Sequence, residues 1–264
     1  MSSPNPTLTS HPATLTAVIG GTGMNQWPGL EIHSSLAMQT PYGEPSAPLA
    51  IGQIGGHPAL FLARHGEGHK IPPHRINYRA NLWALREAGA REVVAIAAVG
   101  AMAEWFAPGE IALPADLIDY TWGREHTYSD GAPDAEVHHV ELTHPYTPAL
   151  RGRIASAARQ AGVRIGGAGV MAVSQGPRLE TPAEITRMCR DGCDMVGMTG
   201  MPEAALAAEL GVSYACIAVS VNWAAGIGSG GIHDEIRQSI ERGMAKVQAT
   251  LARLLAQGPV DATG

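Results

Sequence analysis

Short apolar runs alternate along this chain with longer segments of helical periodicity. The runs at residues 92–99 and 212–221 are almost continuously apolar, which is typical of strands buried on both faces of a sheet. Further strands are predicted at residues 15–19, 49–54, 59–63 and 169–174. Helices are predicted at residues 76–88, 148–161, 181–190, 202–210 and 234–256, the last with Asp234 as its N-cap. This order predicts an α/β fold with a mixed central β-sheet flanked by helices on both sides.

The chain of 264 residues contains no Pro/Ser-rich tract that would separate two domains. We expect a single domain at residues 16–257, between a flexible leader at residues 1–15 and a flexible tail at residues 258–264. The leader carries neither a basic residue nor an apolar stretch, so it does not resemble a secretory signal peptide.

Composition excludes several classes of function. The chain has 18 Lys and Arg against 24 Asp and Glu, a formal net charge of −6, and no basic cluster. Nucleic acid and membrane surfaces are therefore not expected partners. No apolar run reaches the roughly 18 residues that a membrane span needs.

The three cysteines, Cys189, Cys193 and Cys216, lack the spacing of a zinc site, and we expect buried free thiols in the cytoplasm. We expect neither a metal ion nor an organic cofactor.

Three polar motifs follow predicted strands and suit an anion. The glycines of Gly20-Gly21-Thr22-Gly23 allow backbone N–H groups to converge on a phosphate. Arg64, with His65 beside it, offers hydrogen-bond donors at the end of another strand. Thr199 precedes the predicted helix at residues 202–210, whose positive end attracts an anion. A tight turn, a surface arginine and an ordinary N-cap are the respective structural alternatives.

Two further strand ends suit a heterocyclic ligand. Glu180 lies in the segment QGPRLET that follows the strand at 169–174, and Asn222 ends the last apolar strand. A carboxylate accepts N–H groups, whereas an amide both donates and accepts. In α/β sheets ligands gather at the carboxyl ends of strands, so the five motifs predict one site.

Nine stretches of the sequence resemble, in the same order, the trimeric purine nucleoside phosphorylase family, and specifically its methylthioadenosine phosphorylase branch. They are VIGGTG (18–23), TPYGEPSAPL (40–49), LARHGEGH (62–69), NYRANLWALREAG (77–89), VGAM (99–102), PGEIALPADLIDYTWGREHTY (108–128), QGPRLETPAEI (175–185), DMVGMTGMPEAALAAELG (194–211) and YACIAVSVNWAAG (214–226). The resemblance implies the nucleoside phosphorylase fold and a cyclic homotrimer. It also implies attack of phosphate on C1′ of a nucleoside, which releases a purine and a sugar 1-phosphate.

The resemblance also assigns roles by position. Phosphate would be bound by Thr22, Arg64, His65, Ala97, the backbone of Ala98, and Thr199, although Ala97 stands where methylthioadenosine enzymes usually carry a threonine. Met198 would lie against the ribose, and Leu179 takes the place of an aromatic residue beside the base. Asn222 would assist departure of the purine, with Arg64 and His65 as the other catalytic residues. The segment His138-His139 would complete the base pocket of a neighbouring subunit.

The base is predicted from Glu180, Asn222 and Ala224. The adenine-specific branch usually carries Asp-x-Asp at the last strand end, where this chain has Asn222-Trp223-Ala224. Glu180 would accept the N1–H that 6-oxopurines carry and adenine lacks. A site built for a donor rejects a ligand without one, because its buried polar groups remain unpaired.

The sequence leaves two alternatives for the group at C5′ of the nucleoside, a methylthio group or a hydroxyl. The QGPRLET and NWAAG segments resemble those of bacterial S-methyl-5′-thioinosine phosphorylases, with Ile232 or Ile236 lining an apolar pocket. His233 instead lies near the position where inosine and guanosine phosphorylases bind the 5′-hydroxyl.

We therefore expect cleavage of S-methyl-5′-thioinosine in purine salvage, with inosine, guanosine or methylthioadenosine as alternative substrates. A nicotinamide-dependent dehydrogenase and a non-catalytic purine sensor are the rival classes.

Overall fold

The computed structural model of the protein describes residues 15–21, 29–129, 131, 137–228 and 232–259, with the side chains of 232–235 left out. The described residues form one sheet of ten strands. The strands are β1 (Leu15–Gly20), β2 (Leu30–Leu36), β3 (Leu49–Ile54), β4 (His57–Ala63), β5 (Ala90–Ala101), β6 (Ile111–Ala112), β7 (Asp116–Asp119), β8 (Val170–Val173), β9 (Met195–Gly197) and β10 (Ser213–Trp223).

The sheet is mixed, as predicted. Its order is β2-β3-β4-β1-β5-β9-β8-β7, and β10 pairs with both β5 and β6. The strands β4, β1, β5 and β10 run parallel, with Val18 opposite Phe61 and Val94, and Ile217 opposite Ile96. Because these four strands are parallel, their carboxyl ends meet at one edge of the sheet. β9 joins the end of β5 in antiparallel register.

Helices cover both faces of the sheet. They are α1 (Tyr78–Glu87), α2 (Pro148–Gln160), α3 (Pro182–Arg190), α4 (Gly200–Glu209) and α5 (Ile232–Ala256). α1 and α4 pack together on one face, and α2 and α5 pack together on the other. Their apolar residues form two large clusters, one on each side of β1, β5 and β10. The central strands are therefore buried on both faces, which explains their continuous apolar runs.

Some predicted boundaries differ from the structure. α5 begins at Ile232, so Asp234 lies inside the helix and the predicted N-cap is wrong. α4 begins at Gly200 instead of residue 202, with a non-helical Met201 in its first turn. The strands β2, β6, β7 and β9 were not predicted, and all of them except β2 have four residues or fewer. Strands this short carry too few residues for an apolar period to be recognised.

The predicted leader and tail lie mostly outside the described residues. Leu15, at the end of the leader, is the first residue of β1. Gly258, at the start of the tail, accepts a hydrogen bond from the Arg153 guanidinium.

The cysteines are free thiols, but the expectation that all are buried is wrong, because Cys189 is exposed on α3. Among the described residues no group of three His, Cys, Asp or Glu side chains is arranged to hold a metal ion. No helix within the described part of the chain is long and apolar enough to cross a membrane.

Candidate active site

A cavity of about 320 Å³ opens at the carboxyl edge of the central strands. Residues that follow β1, β4, β9 and β10 line it, together with the middle of β5 and the loop after β8. The lining includes nearly every residue predicted for the site: Arg64, His65, Ala97, Ala98, Leu179, Glu180, Met198, Thr199, Asn222 and Ala224. Thr22 lies outside the described residues, and so does the side chain of His233. Gly21, the neighbour of Thr22, lines the cavity.

Arg64 lies at the deep end of the cavity and is ion-paired within the protein. Its Nε and Nη2 atoms donate to the two carboxylate oxygens of Glu203, with Nη2 at 3.0 Å, and Nη1 donates to the Ile96 carbonyl at 2.9 Å. Both charged side chains are buried. Burial lowers the pKa of Arg64, but the ion pair with Glu203 outweighs that effect and holds the pKa above its usual value.

The ion pair limits how Arg64 can bind an anion. A guanidinium has five N–H donors, of which these contacts use three. The fork formed by Nε and Nη2 is taken by Glu203, so only the remaining hydrogens on Nη1 and Nη2 can reach an anion.

His65 is held in one tautomer. Its Nδ1 lies 2.8 Å from the Ile71 carbonyl. Since a carbonyl only accepts, Nδ1 carries the hydrogen. The pKa of His65 is lowered to about 4, mainly by burial and also by the charge of Arg64 and the nearby His69, while the hydrogen bond with the Ile71 carbonyl opposes the shift. At neutral pH His65 is therefore uncharged, and its Nε2 is an acceptor rather than the expected donor.

Thr199 and β5 contribute the other described residues that were predicted to bind an anion. Thr199 precedes α4 and makes no side-chain capping hydrogen bond, so its hydroxyl is not committed to the ordinary N-cap role. Ala97 and Ala98 are adjacent residues of β5, and Ala98 is exposed although it lies mid-strand, because the cavity opens there. A helix N-terminus, a hydroxyl and a small-residue strand suit an anion that approaches the backbone closely.

The cavity is also lined by the groups predicted to recognise a base. The Ser174 hydroxyl donates to Glu180 Oε1, which leaves Oε2 as an acceptor. Asn222 donates from Nδ2 to the Trp223 carbonyl at 2.6 Å and keeps a second amide hydrogen. Leu179 is 53% exposed at the mouth of the cavity, whereas Ala224 is buried in its wall.

Met198 packs against the loop that carries Glu180. The φ of Gly176 in that loop is +60°, and a Cβ there would lie 2.5 Å from the Met198 sulfur. Only glycine permits this backbone conformation and this contact together. The segment that carries Met198 and the loop that carries Glu180 are therefore packed directly on each other.

One face of α5 forms an apolar wall of the cavity. Ile236, Ile240 and Met244 lie four residues apart and so face the same side of the helix. Val219 and Val221 of β10 extend this wall. Of the two isoleucines predicted for an apolar 5′ pocket, Ile236 is in place, and the side chain of Ile232 lies outside the described residues.

Sequence reasoning gave no role to Glu203, Arg124, Ile240 or Met244. Glu203 stands alone as a charge in the apolar stretch GMPEAALAA, which is a signal for a buried ion pair. The period of four that places Ile240 and Met244 with Ile236 was also visible in the sequence. Arg124 follows the unpredicted strand β7, and nothing in its local pattern distinguishes it from a surface arginine.

Comparison with known proteins identifies the family. Residues 16–256 match the family model described as the phosphorylase superfamily. The chain belongs to this superfamily.

Curated relatives within the phosphorylase superfamily are similar along most of their length. A protein of Pseudomonas syringae pv. tomato named "Probable S-methyl-5′-thioinosine phosphorylase" is 52% identical over 244 residues, covering 92% of this chain and 98% of the relative. The "6-oxopurine nucleoside phosphorylase" of Pyrococcus furiosus is 41% identical over 231 residues, covering 86% of each chain.

A solved structure shares the fold. A mutant of adenosine/methylthioadenosine phosphorylase from Schistosoma mansoni, in complex with methylthioadenosine, superimposes with a TM-score of 0.85. It is 30% identical, and the match covers 93% of this chain and 92% of that one. The predicted nucleoside phosphorylase fold and family are thereby confirmed.

Proposed function

We propose that the protein cleaves S-methyl-5′-thioinosine with phosphate, giving hypoxanthine and 5-methylthioribose 1-phosphate. The observation that carries the proposal is one cavity that joins an anion-binding end to a carboxylate at the base end, with an apolar wall along α5. The names of the relatives in Pseudomonas syringae and Pyrococcus furiosus support a 6-oxopurine base.

The anion end positions phosphate for attack on C1′. A phosphate oxygen forms the new C1′–O bond as the C1′–N9 bond breaks, and the bonding pair leaves with the purine. The transition state has oxocarbenium character, so a phosphate anion held against the sugar stabilises its positive charge. Arg64 offers its two remaining hydrogens, Thr199 offers its hydroxyl, and His65 accepts the P–OH hydrogen and thereby orients the anion.

The base end selects a 6-oxopurine. Glu180 Oε2 accepts N1–H, while the second amide hydrogen of Asn222 is donated to the O6 or N7 side and stabilises the departing base. Adenine has no N1–H, so its N1 lone pair would face a carboxylate. An unpaired buried charge of this kind costs about 3 kcal/mol in binding.

The 5′ group lies against α5. Ile236, Ile240 and Met244 present only hydrocarbon and sulfur, which suits a methylthio group better than a hydroxyl. Cleavage of inosine or guanosine is the alternative, and it is favoured if the His233 side chain reaches the 5′ position. Cleavage of methylthioadenosine, the nucleoside bound in the Schistosoma mansoni structure, is the second alternative.

A phosphorolysis panel tests the proposal. Methylthioinosine, inosine, guanosine and methylthioadenosine are compared with and without phosphate, and release of the base is measured by chromatography. We expect kcat/KM to be highest for methylthioinosine and activity to require phosphate. Preference for methylthioadenosine contradicts the role of Glu180, and preference for inosine contradicts the role of the α5 wall. Absence of cleavage of every nucleoside contradicts the proposed function.

We also propose a homotrimer with sites between subunits, a cytoplasmic location, a role in purine salvage, and no cofactor besides the co-substrate phosphate. Exposed apolar side chains support the assembly. Trp122 is 74% exposed, and its backbone N–H donates to the side chain of Gln175 in the base loop. Val137, beside the His138-His139 segment, is 67% exposed. Large exposed apolar side chains are typical of surfaces that another chain covers.

A further inference from the structure

Arg124 is a buried arginine that links the loops on which the site is built. It follows β7 and is 8% exposed. It does not line the cavity itself. Its guanidinium donates to backbone carbonyls of two separate strand-end loops.

One edge of the Arg124 guanidinium holds the segment that carries the ribose and phosphate contacts. Nη1 donates to the Met198 carbonyl at 2.9 Å and to the Met201 carbonyl at 2.6 Å. Thr199 lies between these two anchored residues. The position of its hydroxyl is therefore fixed by the backbone that Arg124 holds.

The other edge of Arg124 holds the base loop. Nη2 donates to the Gln175 carbonyl at 2.8 Å and to the Ser174 carbonyl at 3.3 Å. Nε donates to Gln175 Oε1 at 3.2 Å. Ser174 in turn donates to Glu180, so these contacts set the position of the carboxylate.

A third contact connects Arg124 to another part of the cavity lining. Nη1 lies 3.2 Å from the Tyr78 hydroxyl, and the guanidinium carbon lies 5.4 Å from the centre of the Tyr78 ring. The Tyr78 hydroxyl donates to the Pro73 carbonyl at 2.8 Å. Pro73 lines the cavity.

These contacts require the geometry of a guanidinium. Its planar shape directs N–H groups to both sides at fixed angles, whereas a lysine ammonium is a compact group with three donors. Lysine at this position can retain the charge and some hydrogen bonds, but it cannot span both loops. Some buried carbonyls would then lose their partner or shift to find another one.

We propose that Arg124 is a positioning residue that fixes the distance between the ribose–phosphate segment and the base loop. The proposal rests on the proposed phosphorolysis, because that reaction requires phosphate, C1′ and the base to be aligned at once. A displacement on the order of 1 Å in such an alignment lowers rates by about a hundredfold.

The test compares Arg124→Lys with the matched control Arg151→Lys. Arg151 also donates to a backbone carbonyl, that of Leu113 at 3.1 Å, but it lies on α2 away from the cavity. Steady-state constants for nucleoside and phosphate are measured for both variants and for the wild type. We expect Arg124→Lys to raise both KM values at least fivefold and to lower kcat/KM at least tenfold. Arg151→Lys is expected to stay within twofold of wild type.

This readout separates positioning from loss of structure. A smaller folded fraction lowers the apparent kcat for all substrates equally and leaves each KM unchanged. Unchanged KM values in Arg124→Lys, with or without a lower kcat, would therefore overturn the proposal.

Amide hydrogen exchange supplies a readout that does not depend on activity. Segments 174–180 and 198–201 are expected to exchange faster in Arg124→Lys than in wild type, while β1 and α2 exchange at the wild-type rate. Wild-type exchange in both segments would contradict the proposal. If the wild-type protein cleaves no nucleoside, the proposed function fails, and hydrogen exchange still decides whether Arg124 fixes the two loops.

Discussion

Glu180 is the residue on which the proposed choice of base depends. Its Oε1 is held by the Ser174 hydroxyl, so Oε2 is the oxygen that we expect the substrate to contact. In Glu180→Gln the neutral amide can present N–H towards the N1–H of the base, and a charge-assisted hydrogen bond is lost. We expect kcat/KM for methylthioinosine to fall by about ten- to a hundredfold, which corresponds to about 1.5–3 kcal/mol.

Asn222→Asp provides the complementary measurement. The carboxylate repels O6 and accepts from an exocyclic amino group, so the ratio of methylthioadenosine to methylthioinosine turnover should rise. The rise should remain incomplete, because Ala224 cannot supply a second carboxylate. A ratio that neither variant changes would show that another residue reads the base.

His65 makes the stability of the protein depend on pH. Its pKa is lowered to about 4 in the folded protein, mainly by burial, from an ordinary value near 6.5. Between these two values the unfolded chain binds a proton that the folded chain does not bind. The contribution of neutral His65 is therefore complete above pH 6.5 and is lost as the pH falls towards 4.

The measurement is the free energy of unfolding in urea at about pH 7.5 and about pH 5, for wild type and His65→Asn. Asparagine retains a donor near the Ile71 carbonyl but does not titrate. We expect the wild type to lose more stability than the variant between the two pH values. An equal loss in both proteins would mean that His65 is not the group responsible.

At the scale of elements, the proposed 5′ specificity depends on α5. Ile240 is the middle residue of its apolar stripe, and Ile240→Asn places an amide against the methylthio group. We expect kcat/KM for methylthioinosine to fall about tenfold, the lower end of what one apolar contact provides in substrate discrimination. Inosine turnover should change much less.

Ala245→Asn is the matched control, since Ala245 is an exposed residue of the same helix. Both variants are assayed with both nucleosides. If Ile240→Asn lowers the turnover of methylthioinosine and inosine equally, α5 acts on the fold rather than on the 5′ group.

The elements also show what the sequence could predict. The long strands β5 and β10 were predicted because burial on both faces requires continuous apolar residues. The strand-end motifs of Arg64, Thr199 and Asn222 were predicted to converge because parallel strands place their carboxyl ends together, and in the structure they line one cavity. What remained hidden were partners that are distant in sequence. Glu203 forms an ion pair with Arg64, which lies 139 positions away in the sequence, and no local pattern specifies such a pair.

For the whole molecule, the site is assembled from residues between Gly21 and Met244, almost the full length of the described chain. No short contiguous fragment therefore contains both the anion end and the α5 wall. A second chain could also contribute to the site, because Leu179 of the base loop and the neighbouring Trp122 are exposed. A neighbouring chain that covers them would complete the site.

The proposed trimer is tested first by light scattering at assay concentration, where we expect three times the chain mass of 27.6 kDa. Subunit complementation then tests whether sites are shared. One variant, His138→Ala/His139→Ala, removes the segment expected to complete a neighbour's pocket. The other, Arg64→Met/Glu203→Gln, removes the anion contact without leaving a buried unpaired carboxylate.

Each variant alone should be impaired, because every site lacks either its own arginine or its neighbour's histidines. In trimers formed by co-expression, some sites combine Arg64 from one chain with His138-His139 from the other and are intact. We expect the co-expressed mixture, isolated through two different tags, to be several-fold more active than the two variants mixed after separate purification. Equal activities would show that each chain builds its site alone, and a fully active monomer would exclude the shared site directly.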